Sequence, residues 1–174
     1  QENRRAYDAI ARQYLGTTDV LLGGGRNYFD AKVREDGRNV IDEYQQAGYA
    51  WHDNRKALRT ADPSPRTLGL FHPRKLPYTI DHMADATLRA EVPTLAEMTD
   101  HAIQCLNMND KGFFLMVEAA RVDHAAHIND IATILNDQLA FDDAVQRALD
   151  FARADGETLV IVTSDHGNSN PGLG

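Results

Sequence analysis

Sulfur, basic charge and long apolar runs are all scarce in this sequence. Cys105 is the only cysteine in 174 residues, which excludes an internal disulfide framework and a zinc site built from thiolates. No apolar run approaches the roughly 18 to 20 residues needed to span a membrane. The 26 acidic residues outnumber the 18 basic ones, and the net charge of −8 argues against a nucleic-acid partner. A hydrophobic content of 43% is ordinary for a globular protein.

The chain also lacks an initiating methionine and a signal-like apolar core. It opens with QENRRAYDAI and closes with SNPGLG, a turn-like segment that leads into no further element. We therefore expect a piece of a longer protein, with residues 1–174 forming part of a single domain. The missing signal peptide then gives no information on export.

The pattern of apolar residues predicts an α/β domain with a central, mostly parallel sheet flanked by helices. Residues 52–93 hold five of the six prolines and predict a loop-rich insertion around one strand. The three-residue spacing of Thr94 and Glu97 predicts a capping box at the start of a helix over 94–106. Further helices are predicted at 38–47 and 128–154. Strands are predicted at 19–22, 48–51, 67–71, 113–117 and 158–163.

The last two predicted strands flank the long helix, which is the pattern of a parallel βαβ unit with a right-handed crossover. The first strand is the start of the stretch FFLMVEAARVDHAAH, residues 113–127, and ends at Glu118. The second ends at Asp165 and His166. Ligands of open parallel sheets bind beyond the carboxyl ends of the strands. Asp123 and His127 are four residues apart, which places them on one face of a helix. The sequence therefore predicts one cluster of carboxylates and imidazoles at a single edge of the sheet.

Carboxylate and imidazole ligands without sulfur suit Zn²⁺, with Mg²⁺ or Mn²⁺ where carboxylates dominate. The number of candidate ligands makes more than one metal plausible. The alternative is that Asp165 and His166 form an ordinary turn and that Asp123 and His127 form a surface ion pair. The coincidence of both clusters at neighbouring strand ends favours the metal site.

Three stretches resemble the alkaline phosphatase family of metal-dependent phosphomonoesterases: MVEAARVDHAAH, AVQRALDFARADGETLVIVTSDHG and VPTLAEMTDHAI. DVLLGGGRNYF is similar to that family at the same relative place. The resemblance implies that Asp123 and His127 are ligands of one zinc ion. It implies that Asp165 and His166 are ligands of a second zinc ion.

The resemblance also implies that Glu118 is a ligand of one Mg²⁺ ion. His124 matches a position near this third metal and the phosphate, where we expect it to tune the site rather than to bind metal. Ala119 departs from the glycine usual in the family, and Asn168 lies in a stretch that many members continue differently.

The family hydrolyses phosphate monoesters through a phosphoserine intermediate at two zinc ions and one magnesium ion. No nucleophilic serine stretch is found here, so the resemblance places that serine before Gln1 and a further zinc histidine after Gly174. It also implies a possible homodimer and a periplasmic or secreted location. The alternatives are a phosphodiesterase, mutase or sulfatase of the same superfamily, or, for this chain alone, a metal-binding piece without catalysis.

Overall fold

The computed structural model describes residues 6–168, in which short strands alternate with helices. The strands are β1 (Val20–Gly23), β2 (Ala50–His52) and β3 (Thr67–Leu70). The helices are α1 (Tyr7–Gln13), α2 (Val40–Gln46), α3 (Arg55–Thr60), α4 (Thr79–Ala84), α5 (Ala86–Glu91), α6 (Leu95–Leu106), α7 (Ala120–Ala126) and α8 (Ile131–Asp155). None of these helices combines the length and the apolar character needed to cross a bilayer.

Strand β3 lies at the centre of a parallel sheet, between β1 and β2. All four of its residues are buried, as expected for a parallel strand covered by helices on both faces. Helix α2 connects β1 to β2, and α3 connects β2 to β3. These are the crossover connections that parallel neighbours require. The predicted α/β class with a parallel sheet and flanking helices is confirmed.

Alternate residues of β3 face two different layers of the core. Leu68 and Leu70 belong to a buried cluster with Val40 and Tyr44 of α2. The hydroxyl of Tyr44 donates to the backbone carbonyl of Ala11 at 3.0 Å, so the buried phenol keeps a hydrogen-bond partner.

Helix α6 covers the opposite face of β3. Cys105 is 1% exposed, and its sulfur lies 3.7 Å from the hydroxyl of Thr67, which confirms that this cysteine belongs to the core. The helix begins with the predicted capping box. Glu97 N donates to Thr94 Oγ1 at 3.2 Å, and Thr94 N donates to a carboxylate oxygen of Glu97 at 2.9 Å.

The strands predicted at 113–117 and 158–163 are wrong for the described part of the chain. Neither segment has a ladder partner in residues 6–168, so the predicted βαβ unit is absent there as well. Phe113 packs against Phe151 of α8, with ring centroids 6.0 Å apart. Phe114 and Leu159, by contrast, are 88% and 81% exposed. An apolar run indicates a buried strand only where a neighbouring strand exists to cover it, and residues 6–168 supply none.

The segment 52–93 contains the predicted strand, as β3, and also the three six-residue helices α3, α4 and α5. Two of these helices have side-chain caps. Asn54 Oδ1 accepts from Ala57 N at 2.8 Å, and Asp85 accepts from Thr87 N at 2.7 Å. Short capped helices of this kind give too few turns for apolar periodicity to reveal them.

Two buried histidines meet between the sheet and α6. His52 and His101 are 8% and 6% exposed, and their rings lie 5.6 Å apart at an interplanar angle of 85°. Neither Nε2 atom has a hydrogen-bond partner among the described residues. Burial lowers the pKa of His52 despite the nearby Asp53, and burial together with His52 lowers the pKa of His101. Both imidazoles are therefore neutral near pH 7.

We expect acid to destabilise the protein through this pair. A histidine whose pKa is depressed by folding contributes stability that is fully present above about pH 6.5 and is lost as the pH falls through the folded-state pKa. The free energy of unfolding, measured by chemical denaturation, should decline below pH 6.5 by at most about 1.4 kcal/mol per pH unit for each histidine. His101→Gln should reduce this slope, because glutamine cannot be protonated.

His82→Gln is the matched control for that measurement. His82 Nε2 donates to the carbonyl of Val92 at 2.9 Å, whereas Nε2 of His101 has no partner among the described residues. An unchanged slope in His101→Gln, or an equal reduction in His82→Gln, would contradict the assignment.

Candidate metal site

Helix α7 presents Asp123, and its C-terminal cap is His127. Alanines at both ends favour a helix here, because alanine has the highest helix propensity. His127 Nε2 lies 3.5 Å from Asp123 Oδ2. The four-residue spacing therefore does bring this carboxylate and imidazole together, as the sequence predicted.

Residues 165–168 approach the same carboxylate from the other end of the chain. His166 Nε2 lies 3.9 Å from Asp123 Oδ1 and 3.5 Å from Asp165 Oδ2. Asn168 Nδ2 donates to Asp123 Oδ1 at 2.6 Å and to the Asp123 backbone carbonyl at 3.3 Å. The two sequence motifs therefore meet at Asp123, although the strands expected to align them are not paired.

The contacts around Asp123 favour its ionised form. The amide of Asn168 donates to the carboxylate and lowers its pKa, and the nearby His127 and His166 lower it further. The carbonyl of Gly167 and the carboxylate of Asp165 raise the pKa of His166. An ionised carboxylate is the form in which aspartate binds a metal ion.

The distances fit pairs of ligands on a zinc ion. Two ligands at 2.0 to 2.1 Å from a tetrahedral zinc lie about 3.4 Å from each other. The observed separations of 3.5 Å between Asp123 and His127 and 3.5 Å between Asp165 and His166 are close to that value. In residues 6–168, however, no three His, Cys, Asp or Glu side chains converge to enclose an ion. The chain therefore supplies ligand pairs and not a closed shell.

Glu118 stands apart from this cluster. It is exposed, and it makes no hydrogen bond or ion pair within residues 6–168. The structure brings Asp123, His127, Asp165 and His166 together, but it does not bring in the predicted magnesium ligand.

His124 faces a different neighbour. Its Nε2 lies 2.9 Å from Lys75 Nζ, and an ammonium group can only donate, so Nε2 accepts and the imidazole is neutral. Burial lowers the pKa of His124, and the cations of Lys75 and Arg121 lower it further. In the described part of the chain its Nδ1 is buried without a hydrogen-bond partner. His124 thus lies beside the predicted ligands, and its role near the third metal stays a prediction.

Comparison with known proteins decides the family. The family profile described as Alkaline phosphatase matches residues 1–172. The chain belongs to the alkaline phosphatase family. Alkaline phosphatase 3 of Bacillus subtilis (strain 168) is 42% identical over 179 residues, covering 99% of this chain and 36% of that protein. The alkaline phosphatase of Escherichia coli (strain K12) is 36% identical over 185 residues, covering 93% of this chain and 39% of that protein.

Solved alkaline phosphatases share the fold. The Thermus thermophilus enzyme superposes with a TM-score of 0.83 at 34% identity, over 89% of this chain and 32% of that one. A mutant of the enzyme from the Antarctic bacterium TAB5, with Mg bound in its M3 site, gives 0.75 at 29% identity, over 92% of this chain and 44% of that one. The predicted family is confirmed, and this chain spans little more than a third of the length of the curated relatives.

Sequence reasoning missed two polar residues that lie beside the candidate metal ligands and His124. Asn168, the direct partner of Asp123, lies two residues beyond His166, and that proximity was the available signal. Lys75 had no such signal, because it lies in the proline-rich segment and far from His124 in sequence.

Proposed function

We propose that the full-length protein hydrolyses phosphate monoesters at a site that contains Asp123, His127, Asp165 and His166. The observation that carries the proposal is the meeting of both motifs at one carboxylate, with an imidazole near each of its oxygens. Membership of the alkaline phosphatase family supports the same reaction class.

The proposed cofactors are two zinc ions and one magnesium ion. Asp123 and His127 would hold one zinc, Asp165 and His166 the other, and Glu118 the magnesium. Bound metal ions supply charge neutralisation for the phosphoryl group and lower the pKa of an attacking hydroxyl or water. The carboxylate and imidazole donors fit zinc, and a related enzyme is described with Mg bound.

The chain's own residues would hold and orient the site. Asn168 keeps Asp123 ionised and fixes the position of its Oδ1, while the carboxylate of Asp165 lies beside the ring of His166. His166 Nδ1 contacts the carbonyl of Gly167 at 3.1 Å, which directs Nε2 toward Asp123. Fixed ligands of this kind reduce the reorganisation that metal binding requires.

The proposed route is covalent and passes through a phosphoserine. A serine oxygen would form a bond to phosphorus as the alcohol of the ester leaves, and water would then release inorganic phosphate. Ser64 and Ser164 do not fit the role, because their hydroxyls donate to backbone carbonyls at 3.1 Å and 2.8 Å. Ser169 lies outside the described residues. The nucleophile therefore stays a prediction from the family resemblance.

Metal removal tests the proposal. The full-length protein should hydrolyse a generic chromogenic phosphate monoester, and chelation should lower the rate by about a hundredfold or more. Adding back zinc and magnesium should restore it, with about two zinc ions and one magnesium ion bound per chain. A folded protein without metal, or one that prefers phosphate diesters or sulfate esters, would contradict the proposal.

Broad specificity toward the leaving alcohol is expected if the phosphoryl group is held mainly by metals. A homodimer and a periplasmic or secreted location stay predictions from the family resemblance.

A further inference from the structure

The loop that follows β3, residues 72–78, is hydrogen-bonded on one side to the glycine-rich turn after β1. Three backbone amides donate to it: Gly25 N to Arg74 O at 2.6 Å, Arg26 N to His72 O at 3.1 Å and Asn27 N to Pro73 O at 3.0 Å. A Cβ atom on Gly24 would overlap the carbonyl of Arg74. The glycine at position 24 therefore permits the turn to approach this loop closely.

The other side of the loop contacts the helix that carries Asp123. The ring of Tyr78 lies 3.7 Å from the guanidinium carbon of Arg121, in cation–π geometry. Lys75 Nζ lies 2.9 Å from His124 Nε2. Residues 72–78 thus contact α7 at Arg121 and at His124, which lie about one helical turn apart.

Helix α8 fixes the end of the same loop. Thr79 N and Thr79 Oγ1 donate to Asp137 Oδ1 at 3.2 Å and 2.8 Å. Asp137 is 6% exposed, and its other carboxylate oxygen has no partner among the described residues. With both ends of the loop anchored, the backbone at Lys75 is held in place.

Among residues 6–168, Lys75 is a cation without an anionic partner. Lys75 is exposed, and within residues 6–168 its polar contact is His124 Nε2 at 2.9 Å, with no ion pair to a carboxylate. The anchored loop positions the Lys75 ammonium, and His124, the residue after Asp123, contacts it. The ammonium is therefore suited to bind an anion at the candidate metal site. Lysine binds phosphate oxygens as a compact point charge.

We propose that Lys75 is a substrate-binding residue that contacts the phosphoryl group of the monoester, with His124 as the positioning residue that holds its ammonium at the site. This inference rests on the proposed phosphatase function and adds a residue from outside both metal-ligand motifs.

The experiment compares Lys75→Met with Lys75→Arg in the metal-loaded full-length protein. Calorimetry with inorganic phosphate should show that Lys75→Met weakens binding by about tenfold or more, the scale of a hydrogen bond to a charged group. KM for a phosphate monoester should rise in parallel, and added salt should weaken phosphate binding less than in the parent protein. Lys75→Arg should restore most of the affinity, because it keeps the charge.

Lys32→Met is the matched control, since Lys32 is exposed and distant in sequence from both ligand motifs. Phosphate affinity should not change in this variant. Equal phosphate affinity in Lys75→Met and the parent would overturn the inference. Loss of bound metal in Lys75→Met would also overturn it, by showing a structural role on α7. Absence of phosphate hydrolysis and of metal in the parent protein would instead refute the proposed function itself.

Discussion

Asp123→Ala in the full-length protein should abolish phosphatase activity and zinc binding together. One oxygen of Asp123 lies 3.5 Å from His127 and the other lies 3.9 Å from His166, so a single carboxylate serves both motifs. Its loss removes a proposed zinc ligand and the hydrogen-bond acceptor of Asn168. The rate should fall by about a thousandfold or more, the scale seen when a central active-site group is removed.

Asp123→Asn separates charge from shape in the same experiment. The asparagine amide has nearly the size of the carboxylate, but it is uncharged and binds zinc poorly. Asp142→Ala is the matched control, because Asp142 is an exposed acid on α8. Metal content by atomic spectroscopy and turnover should be unchanged in the control. Parent levels of zinc and of activity in Asp123→Ala would refute the metal-site proposal.

Local chemistry explains which features were predictable from the sequence. The capping box at Thr94 and the pairing of Asp123 with His127 each depend on residues three or four apart, which helical geometry brings together without help from the rest of the fold. The all-buried strand β3 also followed from a short apolar run between turn residues.

The failed strand predictions at 113–117 and 158–163 have a different cause. An apolar run indicates that a segment is buried, but it does not indicate which other segment packs against it. In residues 6–168 Phe114 and Leu159 remain largely exposed, so the covering surface is absent there. The meeting of Asp123 with Asn168 nevertheless occurs, because it depends on the short segment after 163 and not on strand pairing.

Long-range polar contacts could not be predicted from the sequence for a related reason. Lys75 and His124, like His52 and His101, are separated by several elements of secondary structure, and no periodic pattern connects them. Their contacts follow from where the loop after β3 and helix α6 pack, which is a property of the assembled fold.

The 174-residue chain produced alone should have no phosphatase activity. Covalent phosphoryl transfer needs a nucleophile held where its proton can be removed. The hydroxyls of Ser64 and Ser164 are both occupied as donors to backbone carbonyls. Ser169, outside the described residues, is the third serine in the sequence.

The proposed metal ligands within residues 6–168 of the chain are also too few to enclose an ion. Asp123 and His127 form one pair and Asp165 and His166 another, and each pair leaves a zinc ion to be completed by water. The second pair follows the exposed segment 158–163, which has no ladder partner in residues 6–168 to hold it. Zinc should therefore bind the chain alone more weakly than it binds the full-length protein.

The measurement is turnover of a chromogenic phosphate monoester at alkaline pH with added zinc and magnesium. The full-length protein at equal molar concentration is the positive control, and the buffer with metals is the blank. Turnover of the chain at the level of the full-length protein would show that it contains a nucleophile. Replacing Ser64, Ser164 and Ser169 by Ala one at a time would then identify it. The expected rate equals the blank, because a metal-activated hydroxyl requires both a complete ligand shell and a serine directed at it.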